Sequence, residues 1–563
     1  MKFYIKKIYS LILKFNQINK IQAILILLLI VFYTYLIYAL PLFQWDESRL
    51  GVNAIEMLQS HHFLAPTYLG EPDYWNTKPP FAIWSMCTSI FLFGLSVFTL
   101  RLPSVLFAIG SILFVLWLVK RERLASAKTS LLYIFILATA IGFSGFHVAI
   151  SADYDAIFLF FFTITALSAC FSVIYAETAI KKSTQYFLIA ILTFTLGFLT
   201  KGIAICFVLP AILLFALINR KVKTLLSRQY LYLLIPVLAI VAYYLLRNHV
   251  SPGYIKAVYH NEFARYAVAQ ENHSESFWFY FEGLFTGRFS YWIYLILLTP
   301  LVLKPGNFVQ PITRQVTIFN IIAIFSYLLI ISAANTKLQW YDAAIYPIIA
   351  LQILINIDFI YCLTVNKSAR VSFMVFCVLL SMASSFRLGA YFNNLLEIKK
   401  WPNERESILL DRFMRSEPQE VNFIKFGYFG HLDCYCLILE NNGVEFNLLT
   451  YEGIKADSNR ILLTSDNITI TQLKKFYQIT SISHDYFGMI FKINRIDPLK
   501  VKQQIRIEAY KVAQNKAWQK HIQEKAILNH FTYQKQLLSD LVYVDSLGPK
   551  KYNSEIRKYL LSQ

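Results

Sequence analysis

Long apolar runs separated by short polar loops fill roughly the first 390 residues of the chain. About 20 apolar residues are needed to cross a bilayer as a helix, so these runs predict membrane-spanning helices. The lysine-rich N-terminal arm and the alternation of basic and cation-poor loops assign a side to each loop by the positive-inside rule. The eleven predicted spans are Ile21–Ala39, Pro103–Val119, Leu131–Ile150, Ala156–Ala176, Tyr186–Thr200, Ile203–Ile218, Tyr230–Leu246, Phe289–Leu303, Val316–Ala333, Ala343–Leu363 and Val371–Phe386.

One further apolar run, Phe81–Val97, does not fit this alternation. Counting it as a span would place the basic cluster Lys120-Arg121-Glu122-Arg123 outside, against the positive-inside rule. We therefore predict that Phe81–Val97 lies along the outer surface. The N-terminus is then cytoplasmic, whereas the first outer loop (40–102) and the region after the last span are extracytoplasmic.

The overall composition agrees with a polytopic helical membrane protein. Of the 563 residues, 56% are hydrophobic and only 15% are charged, which is too apolar for an ordinary soluble protein. Much of the net charge of +19 lies in short loops predicted to be cytoplasmic, so it indicates membrane anchoring and no nucleic-acid partner. The seven cysteines lack the spacing of a zinc site, and we predict no metal and no cofactor.

From about Asn393 the sequence becomes mixed and polar, which predicts a small extracytoplasmic α/β domain (393–497). Its predicted elements are a helix at Ser407–Met414, strands at Val421–Phe429, Cys434–Glu440, Val444–Leu449, Arg460–Thr464 and Gly488–Ile493, and a hairpin turn at Asn441-Asn442-Gly443. Cys434 and Cys436 would share one face of their strand. The basic tail (498–563) has apolar residues at helical spacing, and it either lies on anionic lipid or packs back on this domain.

Candidate chemistry concentrates just after the first predicted span. Asp46 and Glu47 stand where that helix meets water, and two adjacent carboxylates in a half-desolvated place favour a raised pKa for one of them. Such a group suits general-base catalysis. Arg49 lies about one turn after Asp46 and Lys78 adds a second cation, which together suit a phosphorylated lipid. A juxtamembrane loop with interfacial aromatic residues and ordinary ion pairs explains the same residues.

Four short motifs in this order resemble the protein O-mannosyltransferase superfamily, which includes the bacterial aminoarabinose transferases of lipid A. The motifs are Asp46-Glu47-Ser48-Arg49, Tyr74-Trp75-Asn76-Thr77-Lys78-Pro79-Pro80 followed by Trp84, Phe93-Gly94, and Arg101-Leu102-Pro103-Ser104. The resemblance covers the membrane part (1–392) and implies a GT-C fold with a polyprenyl-phosphate sugar as donor. It assigns catalytic roles to Asp46, Glu47 and Asp155, with Asp46 as the base and Asp155 as a second acidic residue.

Later outer loops hold residues that the resemblance assigns to substrate binding. Lys201 in the tight turn Leu199-Thr200-Lys201-Gly202 and Arg265 would meet the lipid phosphate, and His273 would contact sugar or acceptor. Simpler explanations are an N-cap for Asp153 or Asp155, snorkelling for Lys201 and surface exposure for His273. The complete predicted binding set is Arg49, Tyr74, Lys78, Lys201, Arg265, His273, Lys337 and Tyr341.

The resemblance implies an inverting glycosyltransferase of the bacterial inner membrane, acting on lipid A, another glycan or a protein at the outer face. The chain departs from some relatives at Thr77, where they carry a glutamate, and this puts metal or amino-sugar binding in doubt. The alternative is a transporter or flippase of a lipid-linked sugar. Transporters place polar residues near the bilayer midplane, whereas the charged candidates here lie at the outer ends of spans.

Overall fold

The computed structural model describes most of the chain and divides it into two compact units. One unit comprises Met1–Leu40 and Asp46–Glu397, and the other comprises Pro41–Trp45 and Ile398–Gln563. The described residues are 20–221, 230–264, 274–304, 309–397, 405–414, 416–424, 430–451, 454–485, 488–514, 516–529, 532, 536–537, 540, 555–556 and 558–559.

The first unit is built from helices. Its α-helices are α1 (Lys20–Ala39), α2 (Asp46–Ser60), α3 (Phe81–Phe93), α4 (Val97–Arg121), α5 (Leu132–Ala138), α6 (Ile141–Ser144), α7 (Asp155–Tyr175), α8 (Ile180–Lys201), α9 (Leu209–Ile218), α10 (Leu234–Val250), α11 (Tyr254–Val258), α12 (Phe279–Gly283), α13 (Thr299–Leu303), α14 (Pro311–Ala333), α15 (Tyr346–Leu363) and α16 (Lys367–Leu396). Short 3-10 or π-helical turns are Gly202–Val208, Tyr230–Leu233, Tyr259–Phe263, Leu284–Arg288, Tyr291–Leu298 and Gln339–Ile345, and a small ribbon pairs β1 (Thr67–Tyr68) with β2 (Glu71–Pro72).

Within the described residues, seven helices are long and apolar enough to cross a membrane, or eight if α10 and the bent segment after it count as one span. That pair, Leu234–Val250 with Tyr254–Phe263, is bent by 117°. The chain is therefore a multi-pass membrane protein, as its hydrophobic runs predict. Helix α3, which covers most of the run predicted to lie along the surface, has only 13 residues and is too short to span a bilayer.

The predicted span Leu131–Ile150 is wrong as a continuous helix. The chain forms α5 and the four-residue α6 instead, and residues 145–154 form turns. Gly142 explains part of the break, because a Cβ there would lie 2.5 Å from Tyr346 Oη, so the backbone approaches α15 closely. Ser144 Oγ is bonded both to Ala138 O (2.5 Å) and to Tyr33 Oη (2.6 Å), which fixes the broken segment. Apolar length alone does not show such tertiary contacts.

The predicted span Phe289–Leu303 is also shorter than expected. The structure forms a 3-10 helix at Tyr291–Leu298 followed by α13, an apolar stretch of 13 residues. Pro300 lies in the first turn of α13, where its missing amide hydrogen costs nothing.

The run Ile180–Ile218 reverses direction at its middle. Its 39 residues form unbroken helical turns, and a straight helix of that length would extend about 58 Å. However, Lys221 forms an ion pair with Glu177, just before the start of α8. The chain therefore doubles back at Lys201 and Gly202, where Gly202 adopts the left-handed φ of 60° that a side chain would strain. Two spans joined by this tight turn were predicted from the sequence.

Polar pairs sort the helix ends of the first unit into two groups. At one end, Lys182 Nζ donates to Glu122 Oε2 at 2.8 Å, so the end of α4 meets the start of α8. At the other end, Asp155 begins α7 and pairs with Lys201 at the end of α8. Asp155 and Lys201 thus share the second end, as antiparallel α7 and α8 require.

The second unit is a mixed α/β domain, as predicted. A five-stranded sheet has the order β4-β3-β5-β7-β6, with β3 parallel to both neighbours and β7 antiparallel to both of its own. Its elements are α17 (Arg405–Met414), β3 (Glu420–Ile424), α18 (Gly430–Asn441), β4 (Glu445–Leu449), β5 (Asp457–Thr464), α19 (Asn467–Lys474), β6 (Tyr477–His484), β7 (Met489–Ile496), α20 (Pro498–Ala513) and α21 (Lys516–Leu528).

Two predictions for this unit are wrong. The predicted strand Cys434–Glu440 lies in α18, so Cys434 and Cys436 are not on one strand face. The predicted hairpin at 441–443 is the turn from α18 into β4, because β3 and β4 are parallel and need a crossover between them. Gly443 takes a left-handed φ of 79° in this turn, which suits a helix end as well as a hairpin. Strand β6 and helix α19 were not predicted.

The start of the basic tail packs back on its own unit. Val501 of α20 is buried with residues of the sheet, including Tyr477 and Phe491. Of the two placements considered for this amphipathic stretch, the described part of α20 therefore takes the second. Leu528 at the end of α21 is exposed.

Candidate active site

A buried ion pair anchors the start of α2. Glu47, 1% exposed, accepts two bonds from the Arg101 guanidinium (2.7 and 2.6 Å) and one from the backbone N–H of Ala152 (2.7 Å). Arg101, fully buried, also donates to the carbonyls of Ile37 and Leu40. One carboxylate thus connects α1, α2, α4 and the turn before α7. A carboxylate bound in this way suits positioning better than the catalytic role that the sequence assigned to Glu47.

Arg49 closes the outer loop after α2. Its guanidinium forms a bidentate pair with Asp73 (2.8 and 2.7 Å) and lies 4.3 Å from the ring centroid of Tyr68. Asp73 also accepts the backbone N–H groups of Trp75 and Asn76. Burial alone would raise the pKa of Asp73. These hydrogen bonds and the Arg49 charge have the larger combined effect and hold the pKa below its usual value. The Arg49 guanidinium, which was predicted to bind a phosphate, is therefore paired with the carboxylate of Asp73.

Asp155, Lys201 and Tyr341 lie close together in the structure. Lys201 Nζ donates to Asp155 Oδ1 at 2.5 Å and lies 5.1 Å from the ring centroid of Tyr341. Both charged side chains are largely buried, so each needs the other as a counter-ion. The antiparallel packing of α7 and α8 sets this geometry because it places the last residue of α8 beside the first residue of α7.

Lys78 lines a cavity together with Lys201 and Tyr341. Its Nζ lies 5.2 Å from the ring centroid of Tyr154 and 4.0 Å from Glu262 Oε1, while Thr77 Oγ1 donates to that carboxylate at 2.9 Å. The cavity has a volume of about 80 Å³. Its lining residues are Lys78, Phe158, Lys201, Ile203, Ala204, Phe207, Glu262, Tyr327, Ile331, Ala334, Thr336 and Tyr341.

Tyr74 contributes to the packing of the loop beside this cavity. Its hydroxyl donates to Pro252 O at 2.9 Å, and its own carbonyl accepts from Asn261 Nδ2 at 2.9 Å. The predicted substrate-binding residue therefore joins the first outer loop to the segment after α10.

Asp46 lies in a cluster that includes a histidine. One ligand atom from each of Asp46, His147 and Asp153 falls within 4.8 Å of the others. His147 Nδ1 and Asp153 Oδ2 share a hydrogen bond of 2.5 Å, and the imidazole stacks on Trp340 with centroids 3.4 Å apart. Burial lowers the pKa of His147, but the Asp153 carboxylate beside it raises that pKa above its ordinary value. One nitrogen and two carboxylates form a donor set that could hold a divalent cation.

The remaining predicted residues lie apart from this cavity lining or outside the described chain. Lys337 is buried, and its Nζ donates to Ala334 O at 2.6 Å, although its neighbour Thr336 lines the cavity. Arg265 and His273 lie outside the described residues. Their assignments remain predictions.

Three functional candidates were not predicted as site residues. His147 fell inside the predicted span Leu131–Ile150, so it was never weighed as a loop residue. Glu262 lies in a loop in which only Arg265 and His273 were predicted to bind substrate, and no sequence motif marks Asp73. A signal for His147 exists in the sequence, since a polar residue so close to Asp153 is unusual at the end of an apolar run.

The chain is similar in sequence to known proteins. The family model described as dolichyl-phosphate-mannose-protein mannosyltransferase matches residues 77–246. An undecaprenyl phosphate-alpha-4-amino-4-deoxy-L-arabinose arabinosyl transferase of Edwardsiella ictaluri is 29% identical over 46% of this chain and 47% of its own. The protein of the same name from Yersinia enterocolitica is 27% identical over 54% of each chain. The chain thus matches about half the length of these curated relatives.

Similarity in fold covers more of the chain than the similarity in sequence does. The crystal structure of ArnT from Cupriavidus metallidurans bound to undecaprenyl phosphate aligns with a TM-score of 0.61 at 14% identity, covering 83% of this chain and 97% of that chain. The chain is therefore a polytopic membrane protein with the GT-C fold of that structure. The resemblance indicated by the motifs is confirmed, because the family model, the curated relatives and the shared fold all show similarity to the superfamily that joins protein mannosyltransferases and aminoarabinose transferases.

Proposed function

We propose that this protein is an inverting glycosyltransferase that moves a sugar from a polyprenyl-phosphate carrier to an acceptor hydroxyl. The observation that carries the proposal is the joining of two groups at one end of the helices. Lys78 and Lys201 line one cavity, and the Asp155 that pairs with Lys201 is two residues from Asp153 in the Asp46 cluster. A fixed cation and a carboxylate base are what transfer from a lipid phosphate needs.

The reaction follows from this arrangement. Asp46, half-buried and without an ion pair of its own among the described residues, takes the proton of the acceptor hydroxyl. The oxygen then attacks the anomeric carbon, the bond to the carrier phosphate breaks, and configuration inverts. Lys78 stabilises the charge that develops on the leaving phosphate, with Lys337 and Arg265 as further predicted cations. Glu47 and Arg49 hold the loop in place, since their charges are already paired with Arg101 and Asp73.

The relatives support the choice of substrates. Their printed names carry undecaprenyl phosphate and aminoarabinose, and the ArnT structure holds undecaprenyl phosphate. For this chain we propose a polyprenyl-phosphate sugar donor and a lipid acceptor such as lipid A, with another glycan or a protein as alternatives. The site would face the outer side of the inner membrane. The transporter alternative is disfavoured because the charged pairs of the site lie at helix ends.

Substitution of Asp46 tests the proposal. Asp46→Asn keeps the shape but cannot take a proton, so transfer from a polyprenyl-phosphate sugar by purified protein should fall by about 10²–10⁴-fold. Glu71→Gln, an exposed carboxylate in the same outer loop, is the matched control and should keep its activity. An active Asp46→Asn beside an inactive Asp155→Asn would mean that the base is misassigned. If both remained active, neither carboxylate would be the base, whereas no transfer by the unaltered protein would refute the enzymatic function.

A further inference from the structure

Glu262 places a carboxylate in the cavity that the proposed function gives to a phosphate. Its Oε1 accepts the Thr77 hydroxyl at 2.9 Å and lies 4.0 Å from Lys78 Nζ. The side chains of Lys78 and Glu262 are 22% and 21% exposed, so the pair is partly screened from water. A carboxylate and a phosphate oxygen carry the same charge and bind the same ammonium, so they compete for it.

The position of Glu262 is set by the fold and not by Lys78 alone. Tyr74 Oη donates to Pro252 O at 2.9 Å, and Tyr254 Oη donates to Thr77 O at 2.6 Å. Asn261, the residue before Glu262, donates to the carbonyl of Tyr74. These bonds dock the segment 252–262 on the loop that carries Lys78, and they hold the carboxylate at the cavity before any substrate arrives.

We propose that Glu262 is the displaceable counter-ion of Lys78 and sets the affinity for the polyprenyl phosphate by competing with it. The inference rests on the proposed function, because it needs the carrier phosphate to bind at Lys78. A partly buried ammonium is costly without an anion, and Glu262 removes that cost in the substrate-free protein. The same carboxylate disfavours small free anions, since only a ligand with a hydrocarbon chain gains further free energy from the apolar lining near Phe158 and Phe207.

The test measures binding of undecaprenyl phosphate to the full-length protein in detergent. Glu262→Gln keeps an acceptor for Thr77 but removes the charge, so binding should become about two- to fivefold tighter, as loss of a partly exposed competing pair allows. Inorganic phosphate should also compete more strongly in this variant. Thr77→Val leaves the charge of Glu262 but removes the hydroxyl that holds its carboxylate, so it should give a smaller increase in affinity. Glu282→Gln, an exposed carboxylate at α12, should bind as the unaltered protein does.

The outcomes separate this inference from the function on which it rests. Tighter binding in Glu262→Gln supports competition, because a purely structural role would weaken binding. Unchanged or weaker binding in Glu262→Gln overturns the inference. If Lys78→Ala loses binding in the same assay, the assignment of the phosphate site to Lys78 still holds. If the unaltered protein does not bind undecaprenyl phosphate at all, both the inference and the proposed function are overturned.

Discussion

Removing the charge of Glu47 should destabilise the protein more than removing any other carboxylate of α2. In Glu47→Gln the Arg101 guanidinium stays fully buried but loses its counter-charge, and an amide nitrogen of the new side chain can face it. The carbonyls of Ile37 and Leu40 remain as acceptors, yet they cannot neutralise the charge. Breaking a buried pair from one side typically costs about 3–5 kcal/mol. We expect a loss of this size in the free energy of unfolding.

The control lies on the same helix. Glu56 accepts hydrogen bonds from Thr67 Oγ1 and the backbone N–H of Gly70, both neutral donors. Glu56→Gln keeps an acceptor and leaves no cation unpaired, so it should cost about 1 kcal/mol or less. The double variant Glu47→Gln with Arg101→Met removes both charges, and it should be more stable than Glu47→Gln alone because no charge stays buried without its partner.

The assay is thermal unfolding of the purified protein in one detergent, followed by tryptophan fluorescence, for all four proteins together. Glu47→Gln should unfold at a clearly lower temperature than the unaltered protein and Glu56→Gln, and the added Arg101→Met should restore part of the loss. If Glu47→Gln and Glu56→Gln unfolded together, the buried pair would not be the anchor described above. If the double variant were no more stable than Glu47→Gln alone, the two side chains would not be coupled as described.

Three further predictions concern cations, acid and topology. Lys78→Ala or Lys337→Ala should weaken use of the donor by tens-fold or more, since losing one partner of a buried phosphate costs about 2–5 kcal/mol; normal apparent donor affinity in both would remove the phosphate assignment. Because the pKa of Asp73 is lower in the folded protein, its ionised form stabilises the fold above about pH 4, and this contribution is lost as pH falls through the lowered value. Asp73→Asn should therefore lower the unfolding temperature at pH 7, with a difference that shrinks below about pH 4; a difference independent of pH would contradict the pairing with Arg49. Reporter fusions after Lys120 and after Asn393 should report opposite sides of the membrane, and the same side for both would refute the predicted topology.

The helices of the first unit were largely predictable because bilayer thickness imposes a length on every apolar run. The parity of the predicted spans places Asp155, Lys201 and Tyr341 at outer ends of spans, although it does not specify their contacts. The break at Gly142 could not, because it depends on contact with Tyr346, about 200 residues later in the chain.

Partners of charged residues were the least predictable feature of the site. Arg49 and Glu47 stand two residues apart and suggest an interaction with each other or with substrate, yet their partners Asp73 and Arg101 come from other segments. The prediction of a strand in the second unit was wrong for a related reason. The segment containing Cys434 is rich in residues that suit a helix or a strand, and only the parallel pairing of β3 with β4 requires a helix there.

The stacking of His147 on Trp340 gives the protein an optical reporter at its own site. Indole emission is sensitive to an imidazole in ring contact, and here the two ring centroids are 3.4 Å apart at an angle of 20°. The chain has nine tryptophans, so the signal of this one is the difference between the emission of the unaltered protein and that of Trp340→Phe. Any ligand that moves the His147–Asp153 pair would change that difference spectrum, without an added dye or a labelled substrate.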